Sequence, residues 1–161
     1  MKIRIKFRKW GVMKFIGHLD MMRYFQKAVR RAKIDIRYSE GYSPHQIMSF
    51  AAPLGVGITS DGEYFDIEVN ESMTSEEAVA ALNETMVDGV EVTSYVKLPD
   101  KAKTAMSIVA AADYRLSYKE GYESPFSMEE WKRIVKERFW DSPQFTIIKK
   151  TKKSEREVDL K

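Results

Sequence analysis

Residues 17–68, GHLDMMRYFQKAVRRAKIDIRYSEGYSPHQIMSFAAPLGVGITSDGEYFDIE, decide how this chain folds. The spacing predicts a helix over about Leu19–Ala32, with Leu19, Met22, Phe25, Val29 and Ala32 as its apolar stripe. Glu40–His45 (EGYSPH) is turn chemistry, since Gly supplies positive φ, Pro fixes φ and Ser bonds locally. Gln46–Leu54 reads as apolar and extended, and Ser60-Asp61-Gly62 as a hairpin turn. Glu63–Val69 alternates, with Tyr64, Asp66 and Glu68 on one face and Phe65, Ile67 and Val69 on the other.

Working outward, Lys2–Lys9 alternates too. Ile3, Ile5 and Phe7 share one face, while Lys2, Arg4, Lys6 and Arg8 share the other. On the C-terminal side, Thr74-Ser75-Glu76-Glu77 fits a capping box, followed by Ala78, Val79, Leu82 and Met86 at helical spacing and a strand over Val90–Leu98. Residues 1–98 therefore read strand, helix, strand, strand, helix, strand. This is an α+β order of the ferredoxin-like βαββαβ kind.

Pro99–Ala105 is a polar connection and the expected domain boundary. Beyond it, residues 106–161 read as a partial second ferredoxin-like unit, βαββ. A strand is expected over Ile108–Tyr118, a helix after the capping box Ser127–Glu130 with Trp131, Ile134, Val135 and Phe139 inward, and strands over Gln144–Thr151 and Glu157–Leu160. The sequence stops before a second helix and fourth strand, so this unit is expected to be truncated or to complete itself against the first domain or a partner.

Composition narrows the function. With 43% apolar and 32% charged residues in 161, the chain can bury a core and is neither disordered nor membranous. No apolar run is long enough to span a bilayer. The opening MKIRIKFRKW lacks the continuous apolar stretch of a signal peptide, which makes the expected location cytoplasmic. The absence of cysteine excludes disulfides, thiolate zinc sites and cysteine-held clusters. Gly55-Val56-Gly57 precedes turn residues rather than a helix, so no nucleotide cofactor is expected. The set His18, Asp20, His45 and Glu63 has no recognised metal-ligand spacing.

Charge is unevenly placed. Residues 1–37 hold twelve Lys/Arg against two acids, net +10, whereas residues 38–100 hold one lysine against twelve acids, net −11. A basic third of this kind attracts polyanions, or else the two blocks neutralise each other across the fold. The expected nucleic-acid contacts are Arg4, Lys6, Arg8, Lys14, Arg23, Lys27, Arg30 and Arg31, with Tyr38, Ser43 and His45 from the turn. Trp10, Tyr24, Tyr38 and Tyr42 are candidates to stack on unpaired bases or to pack the core. His18 and His45, with Tyr42 nearby, admit three roles: holding a phosphate, cleaving RNA by general acid–base chemistry without metal, or fixing a helix start and a turn.

The runs GHLDMMRYFQKAVRRA, YSEGYSPHQIMSFAAPLGVG and SDGEYFDIEV resemble an uncharacterised family associated with radical SAM enzymes, whose members occur alone or joined to a B12-binding radical SAM protein. The similarity is strong over residues 2–70 and loose beyond. Where the family has Ser-His-Leu-Asp, this chain begins with Gly17. Where it has Gly-Phe-Asn-Pro-His, this chain has Gly41-Tyr42-Ser43-Pro44-His45. The resemblance implies a radical SAM partner and a link to RNA metabolism. The architecture is also similar to CRISPR repeat-processing endoribonucleases, by analogy of fold alone. Three readings follow: an RNA-binding accessory protein, a metal-independent endoribonuclease using His18 and His45, and a protein-interaction module docking on a radical SAM partner.

Overall fold

The computed structural model describes residues 1–151 and 154–161. Strand β1 is Lys2–Lys9, helix α1 is His18–Arg31, β2 is Met48–Phe50, β3 is Ser60–Glu68, α2 is Ser75–Asn83 and β4 is Val90–Lys97. The four strands form one antiparallel sheet in the order β2-β3-β1-β4, which is the ferredoxin-like arrangement. The chain separates into a unit of Met1–Ala112 and a unit of Asp113–Lys161.

The first unit has its core on one face of that sheet. Ile3, Ile5 and Phe7 are buried there with Phe25 and Val29 of α1 and Ala78 and Leu82 of α2. Four phenylalanines knit the centre: Phe25 lies 4.6 Å from Phe65 and 4.7 Å from Phe7, and Phe50 stacks on Phe65 at 4.8 Å. Each such buried ring contributes roughly 1.5–3 kcal/mol relative to exposure. The Asn83 side chain bonds both backbone groups of Val92 and ties the end of α2 to β4. At the start of α2, the Thr74 hydroxyl accepts from the Glu77 amide and Glu77 accepts from the Thr74 amide, as the capping box predicts. The Thr74 hydroxyl, with the backbone N–H behind it, holds the Glu77 carboxyl below its ordinary range.

Three details differ from the sequence reading. The buried face of α1 is Met21, Phe25, Ala28 and Val29, while Leu19 is 62% exposed. Met21 and Met22 fit either phase of the helical repeat, and packing on the sheet chooses Met21. Ser60-Asp61-Gly62 is not a turn but the start of β3, where Ser60 lies opposite Lys9. The turn falls earlier, at Val56–Gly57, and β2 is only three residues long.

Gly89, between α2 and β4, has φ +97, and a Cβ there would lie 2.8 Å from the Trp10 carbonyl oxygen. Its own carbonyl accepts from the Trp10 amide at 2.9 Å. Only glycine fits both the backbone angle and the approach.

After β4 the chain makes one helical turn, α3 (Ala105–Ile108), within the first unit. The strand expected over Ile108–Tyr118 does not form: residues 109–119 have no regular structure and are exposed. Alternation alone does not make a strand, because its backbone groups need a neighbouring ladder, and none is offered. The second unit is helix α4 (Met128–Val135), a wider π turn (Lys136–Trp140) and the hairpin β5 (Thr146–Lys150) with β6 (Glu155–Asp159). Its capping box, Ser127 with Glu130, forms as expected. The observed order is therefore αββ rather than βαββ. Among the described residues no helix is long and apolar enough to cross a membrane.

Candidate nucleic-acid interface

The cations of the N-terminal third divide between the two sides of the sheet. Ile3, Ile5 and Phe7 face the helices, so Lys2, Arg4, Lys6 and Arg8 face away from them. The basic row of β1 and the basic flank of α1 therefore cannot line one surface. The alternation that buries Ile3, Ile5 and Phe7 against α1 forces the separation.

On the face turned away from α1 and α2, carboxylates of the acidic middle third pair with two of the four cations, Arg4 and Arg8. Arg4 donates to both carboxylate oxygens of Asp66, at 2.8 and 3.0 Å, and to the Lys103 carbonyl at 3.0 Å. Asp66 also accepts from the Ala105 amide at 2.7 Å. The two side chains are 16% and 13% exposed. The hydrogen bond from Arg4 to Asp66 raises the guanidinium pKa, and burial opposes it. Arg4 is thus the clamp that holds residues 103–105 on the sheet. Arg8 is paired with Asp61 and Glu91 and lies 5.5 Å from the Trp10 ring centre. Lys6 sits over Tyr64 and Lys14 over Phe15.

The flank of α1 is different. Arg23 pairs with Asp20 one turn earlier, both largely exposed. Lys27, Arg30 and Arg31 are exposed, have no ion pair or hydrogen bond from their side chains among the described residues, and together line an open groove. The structure adds Lys33, exposed just past the helix at φ +54.

The turn between α1 and β2 is built by hydrogen bonds. Tyr38 and Gln46 bridge its ends. Ser39 Oγ meets His45 Nδ1 at 2.9 Å and accepts from the His45 amide at 3.1 Å, and the Ser43 carbonyl lies 3.5 Å from Nδ1. His45 therefore fixes the turn. Tyr42 stands fully exposed at its tip, Ser43 is exposed beside it, and Tyr38 is 45% exposed with its hydroxyl 3.4 Å from Gln46 Nε2. Tyr24 packs edge-on to Phe25 and accepts from the Val87 amide, a structural role.

Among the described residues the two histidines make different contacts. His18 opens α1 and packs edge-on to Phe50 at 5.3 Å. Gln46, next to His45, donates to the Gln26 carbonyl, eight residues further along α1 and so roughly 12 Å up its axis at 1.5 Å per residue. Concerted acid–base catalysis on one phosphodiester needs both groups within hydrogen-bond reach of it. This arrangement does not assemble that pair.

Lys9 is the residue that sequence reading passed over. It is 2% exposed, and its ammonium donates to the Ile16 carbonyl at 2.6 Å. Burial lowers its pKa, and the charge of Glu63 partly opposes the shift. The signal was present, because Lys9 continues the parity of Ile3, Ile5 and Phe7.

A family model described as an uncharacterized protein conserved in bacteria (DUF2344) matches residues 2–161. No curated protein matches the chain.

Proposed function

This chain belongs to the DUF2344 family, and we propose that it binds RNA, as an accessory protein to a radical SAM enzyme, along the outer flank of α1. One observation carries the reading: Lys27, Arg30 and Arg31 are exposed along one open groove and have no ion pair among the described residues, while Arg4 and Arg8 of β1 are held by carboxylates. Cations left unpaired on one helix face supply phosphate contacts at little desolvation cost. Tyr42, at the tip of a turn adjoining α1, offers a free ring for stacking on an unpaired base. Together these favour single-stranded or looped RNA, recognised mainly through its backbone. The radical SAM partnership rests on the resemblance of residues 2–70. The endoribonuclease reading draws no support from histidines that make different contacts.

The test is fluorescence anisotropy with labelled single-stranded RNA. Lys27→Glu, Arg30→Glu and Arg31→Glu combined should weaken binding at least tenfold without altering the melting temperature. Unchanged affinity in that folded variant rejects the reading. Capture of a radical SAM enzyme from bacterial lysate, lost on nuclease treatment, is the expected partner result. Capture that survives nuclease favours direct protein docking instead.

A further inference from the structure

Apolar side chains gather in solvent around the first turn of α1. The short 3₁₀ helix before it, Gly11–Phe15, buries none of its residues. Val12 is 75% exposed, Val56 64%, and Phe15 and Leu19 62% each, so the core does not account for them. Ile58 is exposed as well. Backbone contacts draw the three segments together. The Gly57 amide donates to the Lys14 carbonyl at 2.8 Å, and Val56 approaches Gly17, the N-cap of α1. Ala52 and Leu54 continue the apolar surface into a shallow cleft beside His18. Single exposed apolar residues are ordinary, but a set assembled from three segments marks an interaction surface.

The charge around the patch selects its occupant. Residues 10–19 hold one lysine and no acid, and residues 51–59 hold no charged side chain. Lys14 has no ion pair among the described residues and lies 5.1 Å from the Phe15 ring centre. The closest carboxylates are engaged: Asp20 pairs with Arg23, and the charge of Glu63 acts on the buried Lys9. A complementary surface is therefore apolar at its centre and acidic at its border. RNA is a poor match, because aliphatic side chains offer phosphates and base edges no hydrogen-bond donors. A two-fold contact with a second copy would set Lys14 near its own equivalent, like charge against like.

We infer that this patch docks a protein segment that is apolar on one face and bordered by carboxylates, such as an acidic amphipathic helix. Val12, Phe15, Leu19 and Val56 cover its apolar face, and Lys14 meets its acids. Leu19 and Arg30 are eleven residues apart, about three turns and so on one side of α1, roughly 16 Å from each other. The segment and a nucleic acid on the flank can thus be held together. This is a contact beside the RNA-bridged one, and it stands whether or not the flank binds RNA.

The experiment is nuclear magnetic resonance of the ¹⁵N-labelled full chain, titrated with a designed amphipathic peptide of leucine and glutamate. Its leucine–lysine counterpart and phosphatidylglycerol vesicles form separate arms. Saturable shifts at the amides of Val12, Phe15, Leu19 and Val56 are expected with the glutamate peptide, at least tenfold weaker with the lysine peptide. The double variant Leu19→Asp/Val56→Asp, at exposed positions, should keep its melting temperature and lose at least tenfold in peptide affinity. Lys14→Glu should shift the preference toward the lysine peptide. Equal binding of both peptides, no saturable shift, shifts confined to Lys27, Arg30 and Arg31, or unchanged binding in the folded double variant overturns the inference. Tighter binding of vesicles through the same residues overturns it in favour of a lipid surface. A dimer in sedimentation velocity that the double variant dissolves overturns it in favour of a second copy.

Discussion

Replacing Arg4 by Met tests whether this arginine is a structural clamp or a phosphate ligand. The substitution keeps most of the apolar stem and removes three hydrogen bonds, two to Asp66 and one to the Lys103 carbonyl. Asp66 is then left 13% exposed with only the Ala105 amide as donor. Removing one partner of a buried pair costs about 3–5 kcal/mol. The surviving amide bond and the partial exposure reduce this to about 2–3 kcal/mol. At roughly 4 °C per kcal/mol for a unit of this size, the melting temperature should fall by about 10 °C. Urea unfolding followed by circular dichroism measures the loss, and hydrogen exchange at the Ala105 amide should quicken with it. The double variant Arg4→Met/Asp66→Leu should recover part of the stability, because no carboxylate is left stranded. A variant within about 0.5 kcal/mol of the parent, with Ala105 exchange unchanged, would refute the clamp. So would a folded Arg4→Met protein that had lost RNA affinity.

Four further outcomes are expected. With three phosphate contacts at about −0.7 each on a single strand, the slope of log K against log salt should be about −2, a roughly 20-fold loss between about 50 and 200 mM; anisotropy at several salt concentrations reads it. Tyr42→Ala should weaken RNA binding by about 1–3 kcal/mol if the ring stacks on a base, with stability unchanged because the side chain is fully exposed. Gly89→Ala should destabilise the fold by roughly 1–3 kcal/mol, since φ is +97 and the new methyl group meets the Trp10 carbonyl; urea denaturation measures it. Glu77 has a lowered carboxyl pKa in the fold, so its contribution is present above the unfolded carboxylate pKa and is lost as pH falls through the folded one. Thr74→Ala should therefore unfold at lower urea than the parent at neutral pH, and the gap should narrow in acid without closing, because the Glu77 amide still bonds the Thr74 hydroxyl of the parent.

Local pattern carried far into the fold. The alternation of Lys2–Lys9 and Glu63–Val69 told which side chains face inward, and the two Thr/Ser–Glu boxes located helix starts, because both signals depend on neighbours within a few residues. The phase of α1 was legible at Phe25, Val29 and Ala32 but not in its first turn, where Leu19 is exposed and the sheet buries Met21 more deeply than Met22. Nor was the fate of residues 109–119, since a strand exists only where another strand offers its ladder.

The candidate site shows the same division. Sequence alone determined that the first third is cationic and the middle acidic, and that the chain would turn at 40–45. Charge is a property of residues, and turns depend on φ at single positions. Only tertiary structure decided which cations are free. Register places Asp66 opposite Arg4, and Asp61 and Glu91 within reach of Arg8, so those charges are spent inside the molecule. Among the described residues no carboxylate pairs with Lys27, Arg30 or Arg31 on the flank of α1. Lys9 shows the converse: a strand's parity carried a charge into the core, and the surrounding chain had to be shaped to receive it.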